Sequence, residues 1–217
     1  MNNPNLCEYF YINFAAVKAE LSDRFGAHRV HELPVKEGEI PLIMLDLELK
    51  TPVSVLMTNG LRDYTMPVPD KADDSPHAEI FFCLPSYWEW EDMDNPRTNW
   101  IFHWIQRLAK YVQEKETWFG HGHTMPCGKD MESLSETMKQ NHFFLMRPML
   151  LEQQLVPLQV GDKEVHFIAI VPIFPDEMDY KQGKGTLKLL KKFINKGVNE
   201  NLDDFRSSVL KGRFRLR

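Results

Sequence analysis

The sequence lacks any apolar stretch long enough to cross a membrane, which needs about eighteen residues or more, and its mean hydropathy is −0.40. Its start, MNNPNLCEYFYINF, has no basic leader, no uninterrupted apolar core and no small-residue cleavage motif, so neither secretion nor membrane insertion is expected. Cysteine is scarce. Cys7, Cys83 and Cys127 form an odd set without a CxxC pair, which suits reduced thiols in cytoplasm and excludes a disulfide framework. Excess basic charge is missing too. Lys and Arg number 26 against 31 Asp and Glu, a net charge of −5, whereas a nucleic-acid binder normally shows a strongly basic footprint. Internal repeats and low-complexity linkers are also lacking.

The 217 residues, 43% hydrophobic, are enough for one large domain with a real core or for two small ones. Charge is unevenly spread. Residues 1–100 hold 8 basic and 17 acidic residues, while residues 101–217 hold 18 and 14. Residues 61–99 are the acidic focus, with 9 acidic and 3 basic residues among Tyr64, Tyr87, Trp88 and Trp90. Residues 178–217 are the basic focus, with 11 basic and 4 acidic residues ending in Lys211, Arg213, Arg215 and Arg217.

Periodicity predicts the elements. Leu6, Phe10, Phe14, Val17, Leu21 and Phe25 recur three or four apart before Gly26, an amphipathic helix. Ile43, Leu45, Leu47 and Leu49 alternate with Met44, Asp46, Glu48 and Lys50, a strand with one buried face. Val53–Thr58 reads as its neighbour, Asn59-Gly60 as a turn that tolerates positive φ, and 78–84 as a buried strand. Pro96–Lys115 is the clearest helix, capped by Thr98, with Ile101, Trp104, Ile105, Leu108, Tyr111 and Val112 as its apolar stripe. Residues 119–130 are glycine-rich loop, and 165–174 is a strong β run after a Gly161-Asp162 hairpin turn. A last helix over Thr186–Lys196 is expected to face inward through Leu187, Leu190 and Ile194. The mixture without strict βαβ alternation predicts an α+β or mixed α/β fold, a single domain whose mixed sheet is flanked by helices.

Three constellations suggest chemistry. Asp46 and Glu48 share a strand face, and Glu48-Leu-Lys50 matches the tail of a metal-dependent nuclease signature; a three-residue match is weak, and the solvent face of an amphipathic strand is the default reading. His121, His123 and Cys127, with His103 or His142 as a fourth ligand, make a zinc set conceivable, or a thiol with a histidine base, against a default of a packed, hydrogen-bonded turn. Lys181-Gln-Gly-Lys-Gly-Thr186 lacks the order and spacing of a phosphate loop. No cofactor and no metal ligand set is expected.

Several segments taken in order resemble the suppressor of fused domain. They are Val55–Leu61 (VLMTNGL) with Met66, Ala78–Pro85 (AEIFFCLP) followed by Trp88 or Trp90, and the tryptophan-bearing helix. Phe119–Thr124 (FGHGHT), Val165–Pro172 (VHFIAIVP) with Pro175–Glu177, Gly185–Phe193 and Asp203–Val209 complete the set. The resemblance spans roughly residues 40–210 and implies a non-enzymatic domain that binds another protein. It divides the chain into a helix at 1–27 packed on a domain at 28–210, with a basic tail at 211–217. Short bacterial members resemble immunity proteins, which neutralise a toxin, often a nuclease. The resemblance supplies no catalytic residue, so His121, His123, Glu79, Glu177 and Arg206 are expected in structural or interface roles. A nuclease is basic where it meets phosphate. The expected partner surface is therefore Asp73, Asp74, Tyr87, Trp88, Trp90, Glu91 and Asp92 acting as a phosphate mimic. Competing readings are a metal-dependent nuclease-like enzyme and a nucleic-acid-binding regulator that uses the basic tail.

Overall fold

The computed structural model describes residues 4–130, 133–135 and 137–211, with 4–14 and 27 traced as backbone only. Leu6, Phe10 and Phe14 of the expected helix face thus lie outside the described side chains, as do residues 212–217 of the expected tail. In chain order the elements are α1 (Pro4–Phe25), β1 (Val30–Glu32), β2 (Leu42–Leu47), β3 (Val53–Thr58), β4 (Ala78–Pro85) and α2 (Trp100–Glu114). They continue with β5 (Thr124–Pro126), β6 (His142–Met146), β7 (Leu158–Val160), β8 (Lys163–Ile173), α3 (Pro175–Lys184) and α4 (Thr186–Lys196). The sheet runs β1-β2-β3-β4-β8-β6-β5, with β7 forming a hairpin on β8. Every pairing is antiparallel except β4 with β8. The chain is a single domain of mixed α+β class.

All eight residues of β4 are buried, so both faces of the sheet must be covered. One face carries Ile43, Leu45, Val55, Phe81, Phe144 and Val171 against Val17 and Leu21 of α1 and Leu189 and Phe193 of α4. The other carries Met44, Leu56, Ile80, Phe82, Phe143 and Ile170 against Ile101, Ile105, Leu108 and Val112 of α2. Two-sided cover corrects the expectation for β2. Met44 is as buried as Ile43 and Leu45, and the strand ends at Leu47, leaving Glu48 and Lys50 beyond it.

Other expectations shift. The α2 helix begins at Trp100 because residues 96–99 form a turn; the Thr98 hydroxyl bonds the Glu89 and Asn95 carbonyls and caps nothing. Tyr111 is exposed and Trp104 half-buried, so the stripe is narrower than its spacing implied. The 119–130 loop contains edge strand β5, and Gly60 has a φ of 161°, near-extended backbone. In α4 the buried residues are Leu189 and Phe193, while Leu187 and Ile194, expected inside, are 79% and 61% exposed. The segment after α4 pairs with the end of β4: Asn201 bridges Cys83 in parallel, and the Leu202 N–H donates to the Cys83 carbonyl at 2.8 Å.

Candidate functional site

Asp73 and Asp74 precede β4, whereas Tyr87 to Asp92 follow it. Eight residues at roughly 3.3 Å each separate the groups by about 25 Å, so the expected acidic surface is two surfaces. Beside the start of β4, Asp73 Oδ2 accepts from Arg147 at 2.9 Å, and Asp74 Oδ1 accepts the His121 N–H at 3.0 Å. Gly120 makes this corner possible: a Cβ there would fall 2.4 Å from Asp74 Oδ2 and 2.2 Å from the Trp118 ring. Asp74 is thereby a loop clamp, while Asp73 stays solvated.

At the other end of β4 the tryptophans go inward. Trp88 is 4% exposed, stacks edge-on against Trp100 with centroids 5.9 Å apart, and donates Nε1–H to the Thr98 carbonyl at 3.3 Å. It is a core residue and offers no contact area to a partner. Trp90 is half-buried, its ring tilted beside His31 at 6.1 Å. Tyr87 is 54% exposed, and its hydroxyl donates to Asp204 Oδ1 at 2.8 Å. Its ring lies 6.2 Å from Phe205, which is 71% exposed. Burial and the Asp204 carboxylate push the Tyr87 phenol well above its usual range. Exposed carboxylates flank the two aromatics along the chain, Glu89, Glu91, Asp92 and Asp94 after Tyr87 and Asp203 before Phe205. Phe205, Asp203 and Asp204 escape sequence reasoning because only the Cys83–Asn201 bridge brings the 201–205 segment beside β4.

Three buried carboxylates are consumed by the fold. Glu79 takes the Thr58 hydroxyl at 2.5 Å, the N–H groups of Gly60 and Leu61 at 2.9 and 3.1 Å, and Arg62 Nη1 at 2.6 Å. Burial raises its pKa, opposed by Arg62. Glu177 takes the Phe174 N–H at 3.0 Å, opening α3, both terminal nitrogens of Arg206 at 2.6 and 2.8 Å, and the Val209 N–H at 2.8 Å. Glu200 takes the N–H groups of Met149, Leu150 and Leu151 at 2.8–2.9 Å. Charge-assisted bonds of this kind staple turns and chain ends to the sheet.

The chemical candidates are not assembled. Asp46 is bonded by His31 Nε2 and the Ser54 hydroxyl, each at 2.7 Å, and Glu48 pairs with Arg29 at 2.6 Å. Ser54 donates to the carboxylate rather than to the imidazole, so the trio lacks the nucleophile–base contact of a serine hydrolase. His121 Nδ1 accepts the Arg147 N–H at 3.2 Å, and His123 packs against Trp118 at 4.2 Å. Cys127 belongs to the core cluster that includes Phe119 and Met138, where burial pushes its thiol far up and away from thiolate chemistry. Among the described residues, no three His, Cys, Asp or Glu side chains are grouped to hold a metal, and no helix is long and apolar enough to cross a membrane.

The model of the suppressor of fused protein (SUFU) family matches residues 38–206. This chain belongs to the suppressor of fused family. Three solved structures share the fold of this family member. The Sufu–Fu complex matches at TM-score 0.67 and 17% identity, over 91% of this chain and 92% of that one. A putative SUFU homolog from Neisseria gonorrhoeae matches at 0.62 and 16%, over 93% and 99%. Drosophila Suppressor of Fused matches at 0.66 and 17%, over 91% of this chain and 51% of the Drosophila chain. No curated protein matches in sequence. Within the SUFU span, Glu79, Glu177 and Arg206 are the staples described above, and the aromatic pair with its acidic rim stands at the far end of β4.

Proposed function

We propose that this SUFU-family domain is a non-enzymatic binding protein whose acidic lip, at the C-terminal end of β4, engages a basic protein partner. The observation that carries the reading is the exposed Tyr87–Phe205 pair, borne on two segments rich in exposed carboxylates, Glu89, Glu91, Asp92 and Asp94 on one and Asp203 on the other. Exposed aromatics inside a charged rim are the composition of an interaction hot spot, and a one-signed rim speeds encounter with an opposite charge. One relative of the same fold was solved as a complex with a protein, Fu. The gonococcal relative, matched along nearly its whole length, supports a bacterial type of member. In that setting the partner is a toxin domain, nuclease-like in its basic contact surface, and the chain is a cytoplasmic immunity protein.

Capture from the source cells, with the parent chain and a Tyr87→Ala/Phe205→Ala variant as parallel baits, tests the reading. The parent is expected to retain a basic protein that the variant loses, and to protect cells that express that protein. Glu91→Gln with Asp92→Asn is expected to slow association about tenfold at low salt. Asp73→Asn, at the opposite end of β4, leaves the rate unchanged. Identical retention by both baits, or rates indifferent to the rim, would overturn the lip as the binding surface.

A further inference from the structure

The outer side of α4 combines two features that rarely coincide without a purpose. Leu187 and Ile194 are the most exposed aliphatic residues described, and seven residues at 100° each bring them within about 20° of one another around the helix. Half-buried Leu190 lies between them along the axis and about 40–60° round toward the core that it packs against, so the three form a ridge about 10 Å long. The ridge faces away from α3, because Lys192, on the opposite flank, has its Nζ 5.9 Å from the Tyr180 ring of α3.

The charge around the ridge has a single sign. From residue 181 to 199 the sequence has six lysines and no carboxylate. Lys184, Lys188, Lys191, Lys192 and Lys196 are exposed, and none belongs to an ion pair among the described residues. An aliphatic ridge in a lysine field is complemented by apolar side chains in a carboxylate field. Residues 212–217, with three arginines and no acid, do not supply that complement. Nucleic acid would answer the lysines but set bare aliphatics against phosphates. A lipid surface needs a broad apolar face, and this ridge is one side chain wide beside Lys191. Spacing at i, i+3 and i+7 is instead the seam on which another helix packs.

We propose that α4 is a docking face for an acidic amphipathic helix of a partner protein. Leu187, Leu190 and Ile194 meet its apolar seam, and Lys188 and Lys191 pair with its flanking carboxylates. This face is separate from the acidic lip and stands or falls without it.

The test uses the full chain and a labelled peptide of about three heptads, with Leu at the seam and Glu beside it, against a permuted peptide of equal composition. Fluorescence anisotropy at low salt is expected to show binding about tenfold tighter than to the permuted peptide. Leu187→Gln with Ile194→Gln and, separately, Lys188→Glu with Lys191→Glu each cost a further tenfold or so. The altered side chains are exposed, so unchanged circular dichroism is expected to accompany the losses. Equal binding of both peptides would reduce the face to a charge effect. Undiminished binding by the helix variants, absence of binding, or tighter binding of phosphatidylserine vesicles or duplex DNA would each overturn the proposal.

Discussion

Glu79 illustrates how a residue with the profile of a catalytic acid becomes a structural one. It is fully buried with a raised pKa, yet its oxygens are occupied by the hydroxyl of Thr58 at the end of β3 and by backbone N–H groups and Arg62 of the turn that follows. Glu79→Ala would break the buried Arg62–Glu79 ion pair, a loss of about 3–5 kcal/mol. Urea unfolding is expected to show it, and replacing both residues by apolar ones of similar volume is expected to restore part. The structural roles of Glu79, Glu177 and Arg206 were legible through the family resemblance. Trp88 was not. Sequence marks it as aromatic among acids, and only the packing of Trp100 decides that it turns inward. Phe205 was illegible for the converse reason, since nothing local places a residue of the 201–205 segment beside Tyr87.

Among elements, the long periodic ones were readable and the short ones were not. Strands β2, β3, β4 and β8 announced themselves by apolar runs, whereas β5 and β7 have three residues each, and β5 contains a proline that only an edge strand tolerates. The α3 helix was missed because its last turn includes Gly183, and its start depends on Pro175 and the Glu177 staple. In α4 the apolar arc spans roughly 160° of the helix at 100° per residue, wider than the face that the sheet covers. Spacing therefore permitted two solutions, Leu187/Leu190/Ile194 or Leu189/Leu190/Phe193, and the ring of Phe144, 5.9 Å from Phe193, selects the second. Leu189→Ala or Phe193→Ala is expected to cost about 3 kcal/mol through the cavity it leaves, and Leu187→Ala no more than about 0.5. Thermal and urea midpoints of the three variants check this ordering.

For the molecule as a whole, the uneven charge noted in the sequence resolves into exposed carboxylates on the segments that carry the aromatic pair beyond β4 and a lysine field on α4. Protons add a second global effect. His121, His123 and His142 are all held below the usual 6.5, chiefly by burial, with Arg147 adding to the effect at His121. Below about pH 6.5 the unfolded chain therefore binds protons that the native state refuses. The stability these groups contribute is present above that pH and is lost as pH falls through their lowered values. Urea midpoints between pH 7.5 and 5.5 are expected to decline, less steeply in His123→Gln. Finally, the Cys83–Asn201 contact joins residues 118 apart in sequence. While the chain is being synthesised, β4 emerges long before the segment that pairs with its edge at Cys83. The open edge at Cys83 is then a liability for the nascent polypeptide, and a ribosome stalled before residue 201 would present chaperones and proteases with a strand whose last residues lack their neighbour.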